Sequence, residues 1–317
     1  MDDVGDGPGV QNQPVTAARY DLGERDHRRD RIGPDPLVGH LVRHEHDGAA
    51  ARPDVGGGAI YALGAAHVVI TGSRFVGNRG ANGGAVGMLF ANPEIYDSVF
   101  EDNTAEGTGQ NRAVSEEECP AAYAFGHENQ AGAGGLAGGV YFDGANDEDH
   151  TYVLCGSVFR HNRANELAGA LFRTPNVGMR RMRIESSTFD ANTATGGGVS
   201  FIKQNDVVVV GSTFMNNRSG VLVDGTDVGG WASGLWINEG TVDATNSTFF
   251  DNSLDVEGSG TVTNVTFSGS DINGDIALYN SLVVDTGCAA DGAGERNVQW
   301  PEGEACAAGT LFADPAL

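Results

Sequence analysis

Asp143 and Arg173 are the two residues whose types and places could do chemistry together. Each directly follows a glycine-opened apolar segment, Gly138-Gly139-Val140-Tyr141-Phe142 and Gly169-Ala170-Leu171-Phe172. Aligned on the residue after the glycines, the two fall in one column, predicted to point outward, with Ala62, Met88, Ile202 and Asn238. A carboxylate and a cation on one face could serve as a catalytic pair. A lyase needs a base for the proton α to a uronate carboxylate, and acids that hold Ca²⁺ against that carboxylate. Asp147 and Asp149, with Glu148 between them, could add calcium ligands. The competing reading is a surface ion pair, worth roughly 0–1 kcal/mol, beside a solvated acidic loop. On that reading there is no catalytic site and no cofactor, and calcium enters only with the lyase. The same face offers rings for binding: Tyr141 and Trp236, with Trp231 just before, are expected outward or nearly so, where a flat ring can meet a sugar or a protein. Burial under the long loops at 104–135 and 218–233 is their alternative fate.

The frame that must position these residues is a repeat. Ser-x-Phe-x-x-Asn occurs six times, as SRFVGN at 73–78, SVFEDN at 98–103, SVFRHN at 157–162, STFDAN at 187–192, STFMNN at 212–217 and STFFDN at 247–252. Val265-Thr266-Phe267 and Ser281-Leu282-Val283 are two decayed copies. The intervals between Phe positions, 25, 59, 30, 25, 35 and 18 residues, describe a constant frame carrying loops of unequal length. An apolar residue (Ile70, Ile95, Leu154, Ile184, Val209, Ala244, Val262) lies five before each Phe. Five is odd, so one continuous strand would put the two on opposite faces; two short strands joined by a corner return both to the interior. With the glycine-opened segment this makes three short strands per turn, stacked about 4.8 Å apart. The chain is therefore expected to be all-β, a single-stranded right-handed parallel β-helix of about seven or eight coils over residues 55–317. Phe75, Phe100, Phe159, Phe189, Phe214 and Phe249 would stack inside it. Asn78, Asn103, Asn162, Asn192, Asn217 and Asn252 would form a column of amides at a turn, where Asn tolerates left-handed backbone. Repetition in register makes that column architectural rather than catalytic.

Residues 1–54 are different in kind. They hold 7 of the 18 Arg, 4 of the 8 His and 5 of the 10 Pro, with no Phe or Trp, and show no sustained period. The expectation is a disordered or misassigned leader. The first residues lack the apolar stretch of a secretory signal, and no run reaches the roughly 20 apolar residues of a membrane-spanning helix.

Charge and cysteines narrow the class. The net charge is −24, and 32 acidic against 12 basic residues follow position 54. Phosphate contacts need cations, so nucleic acid is disfavoured. Neutral glycans, carbohydrate or cell-surface protein remain as partners, and mutual repulsion favours a monomer. Cys119, Cys155, Cys288 and Cys306 lack CxxC spacing, which argues against zinc. Cys288–Cys306 and Cys119–Cys155 are disulfide candidates, among three pairings that four cysteines allow; a disulfide would imply an oxidising compartment. Two motif fragments are discounted. Asp271-Ile272-Asn273-Gly274-Asp275 opens like a calcium loop but has Ile276 for Gly and Leu282 for Glu. Gly132–Ala137 approximates a dinucleotide fingerprint but opens no helix.

Gly57-Gly58-Ala59-Ile60 followed by Phe75-Val76-Gly77-Asn78 resembles the GGAI/FxxN repeat of polymorphic outer-membrane proteins. More broadly the chain is similar to pectate-lyase-like right-handed β-helix proteins of bacterial surfaces. Its ending, with Asn280-Ser281-Leu282-Val283, Cys288, Cys306 and Phe312-Ala313-Asp314-Pro315-Ala316-Leu317, is similar to the choice-of-anchor type. The resemblance implies a secreted or cell-surface protein of the cell outer membrane or beyond, acting as an adhesin-like or structural module. It also raises the alternative of a polysaccharide lyase or glycoside hydrolase, whose working groups would project from the first strand of each coil. The polygalacturonase residue set is not found: His127 lies in Gly-His-Glu and Arg183 in Arg-Ile-Glu.

Overall fold

The structure, a computed structural model, describes residues 57–314 apart from 65–66, 108–134, 146–148, 176–177, 197, 222–224, 226, 228–232 and 289–292, together with the strand Leu37–Gly39. The chain divides at Asp35/Pro36, and everything described belongs to the second unit, Pro36–Leu317. Leu37–Gly39 pairs in parallel with Val68–Ile70; the rest of the expected leader lies outside the described residues.

Among the described residues there is no helix, and every strand pairs with its counterpart one coil away, in parallel. The fold is all-β, its parallel strands stacked as in a parallel β-helix. A first ladder runs through Ile60–Leu63, Val86–Leu89, Val140–Asp143, Leu171–Thr174 and Ser200–Lys203. A second runs through Val68–Thr71, Pro93–Tyr96, Thr151–Cys155, Arg180–Glu185 and Asn205–Val210. Leu235–Thr245, Leu254–Thr263 and Asp271–Tyr279 are long enough to belong to both, which fuses the two ladders into one 16-stranded sheet. The third ladder carries the repeated phrase and has ten strands, from Arg74–Val76 to Leu311–Phe312. Seven or eight coils were expected; the last ones have lost the phrase, with Gln299 in the Phe position. A fourth ladder of five two-residue strands, Arg79–Gly80 to Arg218–Ser219, was not foreseen.

The parity argument holds. Ile70 and Phe75 are both buried, and between them Gly72 turns the chain with φ 54°. Asp97, Gly156, Ser186, Gly211 and Asn246 do the same in later coils. The rings of Phe75, Phe100, Phe159, Phe189, Phe214, Phe249 and Phe267 then stack with centroids 4.6–5.1 Å apart, as the inter-strand spacing dictates.

The asparagine column also forms, by a different local geometry. The left-handed residue is the one before each Asn: Gly77, Asp102, His161, Ala191, Asn216 and Asp251. That twist swings the Asn side chain inward. Asn162 Nδ2 donates to Asn192 Oδ1 and to Phe100 O, both at 2.9 Å, while its Oδ1 accepts from Asn103 N and Nδ2. Every buried polar atom of the amide is thereby used, as burial requires. A second polar column, unread in the sequence, is the phrase's Ser. Ser98 Oγ accepts from Ser73 N at 3.2 Å and donates to Tyr96 O, and Ser157, Ser187, Ser212 and Ser247 repeat the pattern. Glycine matters where the last ladder returns to the first: a Cβ on Gly138 would lie 2.4 Å from Arg163 O and 2.5 Å from Gly169 O, so only glycine fits.

Candidate functional site

Asp143 and Arg173 do not share a face. In the first ladder Asp143 pairs with Thr174 and Leu89, whereas Arg173 pairs with Phe142 and Ile202. The outward columns are Tyr61, Gly87, Tyr141, Phe172, Phe201 and Trp236, and then Leu63, Leu89, Asp143, Thr174, Lys203 and Asn238. The alignment on glycines slipped by one residue between coils, and a one-residue slip exchanges inside for outside. Asp143 is outward and half-buried, accepting from Tyr141 OH at 2.8 Å. Arg173 lies inside the coil with 0% exposure, its guanidinium carbon 3.8 Å from the centre of the Tyr152 ring. A base for an external substrate cannot be built from it. Asp149 is exposed; Asp147 lies outside the described residues.

The binding rings fare similarly. Tyr141 does stand on the outer side, but it stacks on Phe172 and Phe172 on Phe201, while Phe201 meets Trp236 edge-on, with centroids 4.6–5.2 Å apart. With Ala137, Leu167 and Ala168 they form a second apolar cluster outside the coil, each ring no more than 8% exposed. Tyr141 and Trp236 are therefore packed rather than presented; Trp231 lies outside the described residues.

Chemistry-bearing groups gather at four other places. Where the aromatic series ends, its column turns polar as well: Trp236 is followed by Asp255 and Asn273, and in the neighbouring outward column Asn238 is followed by Glu257. Trp236 Nε1 donates to Glu257 Oε1 at 3.1 Å and Asn238 Nδ2 to Oε2 at 2.5 Å. Asn273 Nδ2 donates to Asp255 Oδ1 at 2.6 Å, while Asp255 Oδ2 is buried without a hydrogen-bond partner among the described residues. Burial pushes the Asp255 carboxyl up, against the lowering by hydrogen bonds from Ser253 and Asn273. Two carboxylates two residues apart on one strand face stand roughly 6–7 Å apart at their backbone. One readily protonated acid beside a second carboxyl is the composition of an acid–base pair. The alternation Leu254-Asp255-Val256-Glu257 carried that signal in the sequence.

A second group sits where the first ladder turns into the second. His67 Nε2 lies 2.8 Å from Glu94 Oε1, and Tyr96 OH donates to Glu94 Oε2 at 2.7 Å. His150 packs edge-on against His67 and Tyr152. Burial raises the Glu94 pKa, but the bonds from Tyr96 and His67 outweigh it and the net shift is downward; burial and Glu94 hold the Tyr96 phenol well above its usual range. Glu101, Asp102 and His161 bring ligand atoms within 4.8 Å of one another, but Glu101 is already bridged by Arg74 and Arg160 at 2.5 and 2.7 Å.

The fourth place is a groove of about 480 Å³ on the outer face of the second ladder, lined by Asp206, Thr241, Asp243, Ser259, Thr261 and Asp275 among others. These six side chains stand in solvent, in register across four coils. Asp206 Oδ1 accepts from Thr241 Oγ1 at 2.8 Å.

Cys288 and Cys306 form a disulfide, with Cα atoms 5.3 Å apart. Cys155 has no disulfide partner among the described residues, and Cys119 lies outside them. Asp271–Tyr279 is a strand, so its calcium-like start is not a loop. Among the described residues no helix is long and apolar enough to cross a membrane. No protein-family model, no curated protein and no solved structure matches the chain.

Proposed function

We propose that this chain is a secreted or cell-surface β-helix of right-handed, pectate-lyase-like type, acting as an adhesin-like surface module. Its right-handedness follows from the hand that parallel crossovers take in about 98% of cases. The observation that carries the function is the groove of Asp206, Thr241, Asp243, Ser259, Thr261 and Asp275. A flat, rigid row of carboxylates and hydroxyls on stacked strands suits the hydroxyls of a carbohydrate, each carboxylate accepting a charge-assisted bond. The Cys288–Cys306 disulfide supports an oxidising compartment. Binding to a panel of immobilised neutral and acidic glycans tests the reading, with Asp206→Asn and Asp243→Asn as controls. Each substitution should weaken the best ligand about tenfold or more. Glycan binding indifferent to both substitutions would remove the groove from the reading.

A hydrolytic reading is favoured by one observation, the Asp255 carboxyl raised by burial beside Glu257. It predicts reducing ends from an acidic polysaccharide, lost in both Asp255→Asn and Glu257→Gln. Calcium has a place only if the products are unsaturated, as in a lyase.

A further inference from the structure

Arg173 is a fully buried charge that no carboxylate among the described residues neutralises. Its side chain enters the coil interior with 0% exposure. One end nitrogen, Nη1, donates to Gly144 O at 3.2 Å and to Thr174 O, and the guanidinium lies over Tyr152, itself 0% exposed. Among the described residues Nε and Nη2 have no hydrogen-bond partner, and no carboxylate forms an ion pair with Arg173. Asp143, the acid whose charge acts on it, accepts a bond from Tyr141 on the outer face. A second cation, Arg180, also acts on it and disfavours its charge.

Burial pushes the Arg173 pKa down to about 10, so the group remains a cation at neutral pH. An unpaired charge taken out of water is strongly unfavourable, and three N–H donors left open add to that. A neutral water meets the donors but not the charge. A large anion is excluded, because Arg173 and Tyr152 are both closed off from solvent. We propose that the Nε and Nη2 edge of Arg173 holds a small inorganic anion of halide type inside the coil, near the corner after Asp143 and Thr174. Such an ion belongs to the folded state alone and so stabilises it by mass action.

The test uses the full chain and sodium salts at one ionic strength, with chloride, bromide or gluconate as the anion. A one-site ligand at ten times its dissociation constant should raise Tm by roughly 2–4 °C in a domain of this size. That rise is expected in chloride and bromide over gluconate, and should vanish in Arg173→Met. Crystals grown in bromide should give an anomalous peak at hydrogen-bond distance from Nε and Nη2. If Arg173→Met does not fold, the halide response and the bromide peak of the unmodified chain decide alone. Equal Tm in chloride and gluconate overturns the proposal. So does a bromide map with only a water at that edge, or a halide response retained in Arg173→Met.

Discussion

Replacing Asn162 by Ala measures what the amide column contributes. Asn162 stands mid-column, and its amide holds four partners. Asn103 N has no other acceptor than Asn162 Oδ1 and would be orphaned outright. Asn103 Nδ2 would keep only Phe75 O; Phe100 O would lose a donor, and Asn192 Oδ1 would keep only the Asn162 N–H. One complete orphan at about 1–3 kcal/mol, with three partial losses of roughly 0.5–1 kcal/mol each, gives about 2.5–6 kcal/mol. Asn78, at the column's end, provides the control. There the loss is its Nδ2 bond to Asn103 Oδ1, which still accepts from Asn78 N, so Asn78→Ala should cost about 1 kcal/mol. Guanidinium titrations followed by far- and near-ultraviolet circular dichroism read both numbers. Amide exchange at residues 99–105 and 158–164 shows whether the coils open together, which stacked repeats need not do. Asn162→Asp sharpens the test by keeping volume and acceptors while removing both donors. It should be at least as destabilising at neutral pH and recover partly in acid, where the carboxyl can donate. Losses below 1 kcal/mol at both Asn162 and Asn78 would refute the reasoning and place the stability in the phenylalanine stack alone.

Two further outcomes follow from local geometry. Ala191 occupies the left-handed corner position that Gly77 and Gly269 hold in other coils, with φ 51°. Relief of about 1–2 kcal/mol of strain, less the entropy of glycine, should make Ala191→Gly more stable by about 0.5–1 kcal/mol in the same titrations. Asp255 has a raised folded-state pKa, so its contribution is fully present below the ordinary 3.8 and is lost as pH rises through the raised value. Asp255→Asn should therefore match the unmodified chain at pH 3 and exceed its Tm at pH 7; a difference in Tm that does not grow with pH would show that the carboxyl is not desolvated.

The coil frame was legible because it repeats. Register imposes the same side chain at the same place in each coil, so Phe and Asn recur and the odd spacing from Ile70 to Phe75 betrays the corner. The left-handed site was misplaced by one residue for a physical reason. Asn is common at such sites, but here its amide is needed inside the column, and the preceding Asp102, His161 or Ala191 takes the twist. The final coils were illegible because Gln299 replaces the aromatic ring. It holds its buried place by donating from Nε2 to Glu304 O and accepting from Cys306 N, contacts that no pattern of apolar residues announces.

The chemistry was harder to read because it depends on parity, and parity is lost wherever a coil gains or drops one residue at its glycines. Gly138-Gly139 precedes Val140, which enters the core, whereas Gly57-Gly58 is followed by Ala59 and only then by Ile60, its true counterpart through Val86. An apolar neighbour cannot correct the slip here. Tyr141, Phe172, Phe201 and Trp236 bury the outer face as thoroughly as Val140 and Leu171 bury the inner one, so hydrophobicity stops reporting direction. Only beyond Trp236 does the aromatic outer column become polar, and there Leu254-Asp255-Val256-Glu257 restores the alternation that marks a strand with one wet side. The carboxylates best placed to act are thus those whose neighbours make their direction readable. Arg173 sits where both faces are apolar, and its type alone pointed to the wrong side of the wall.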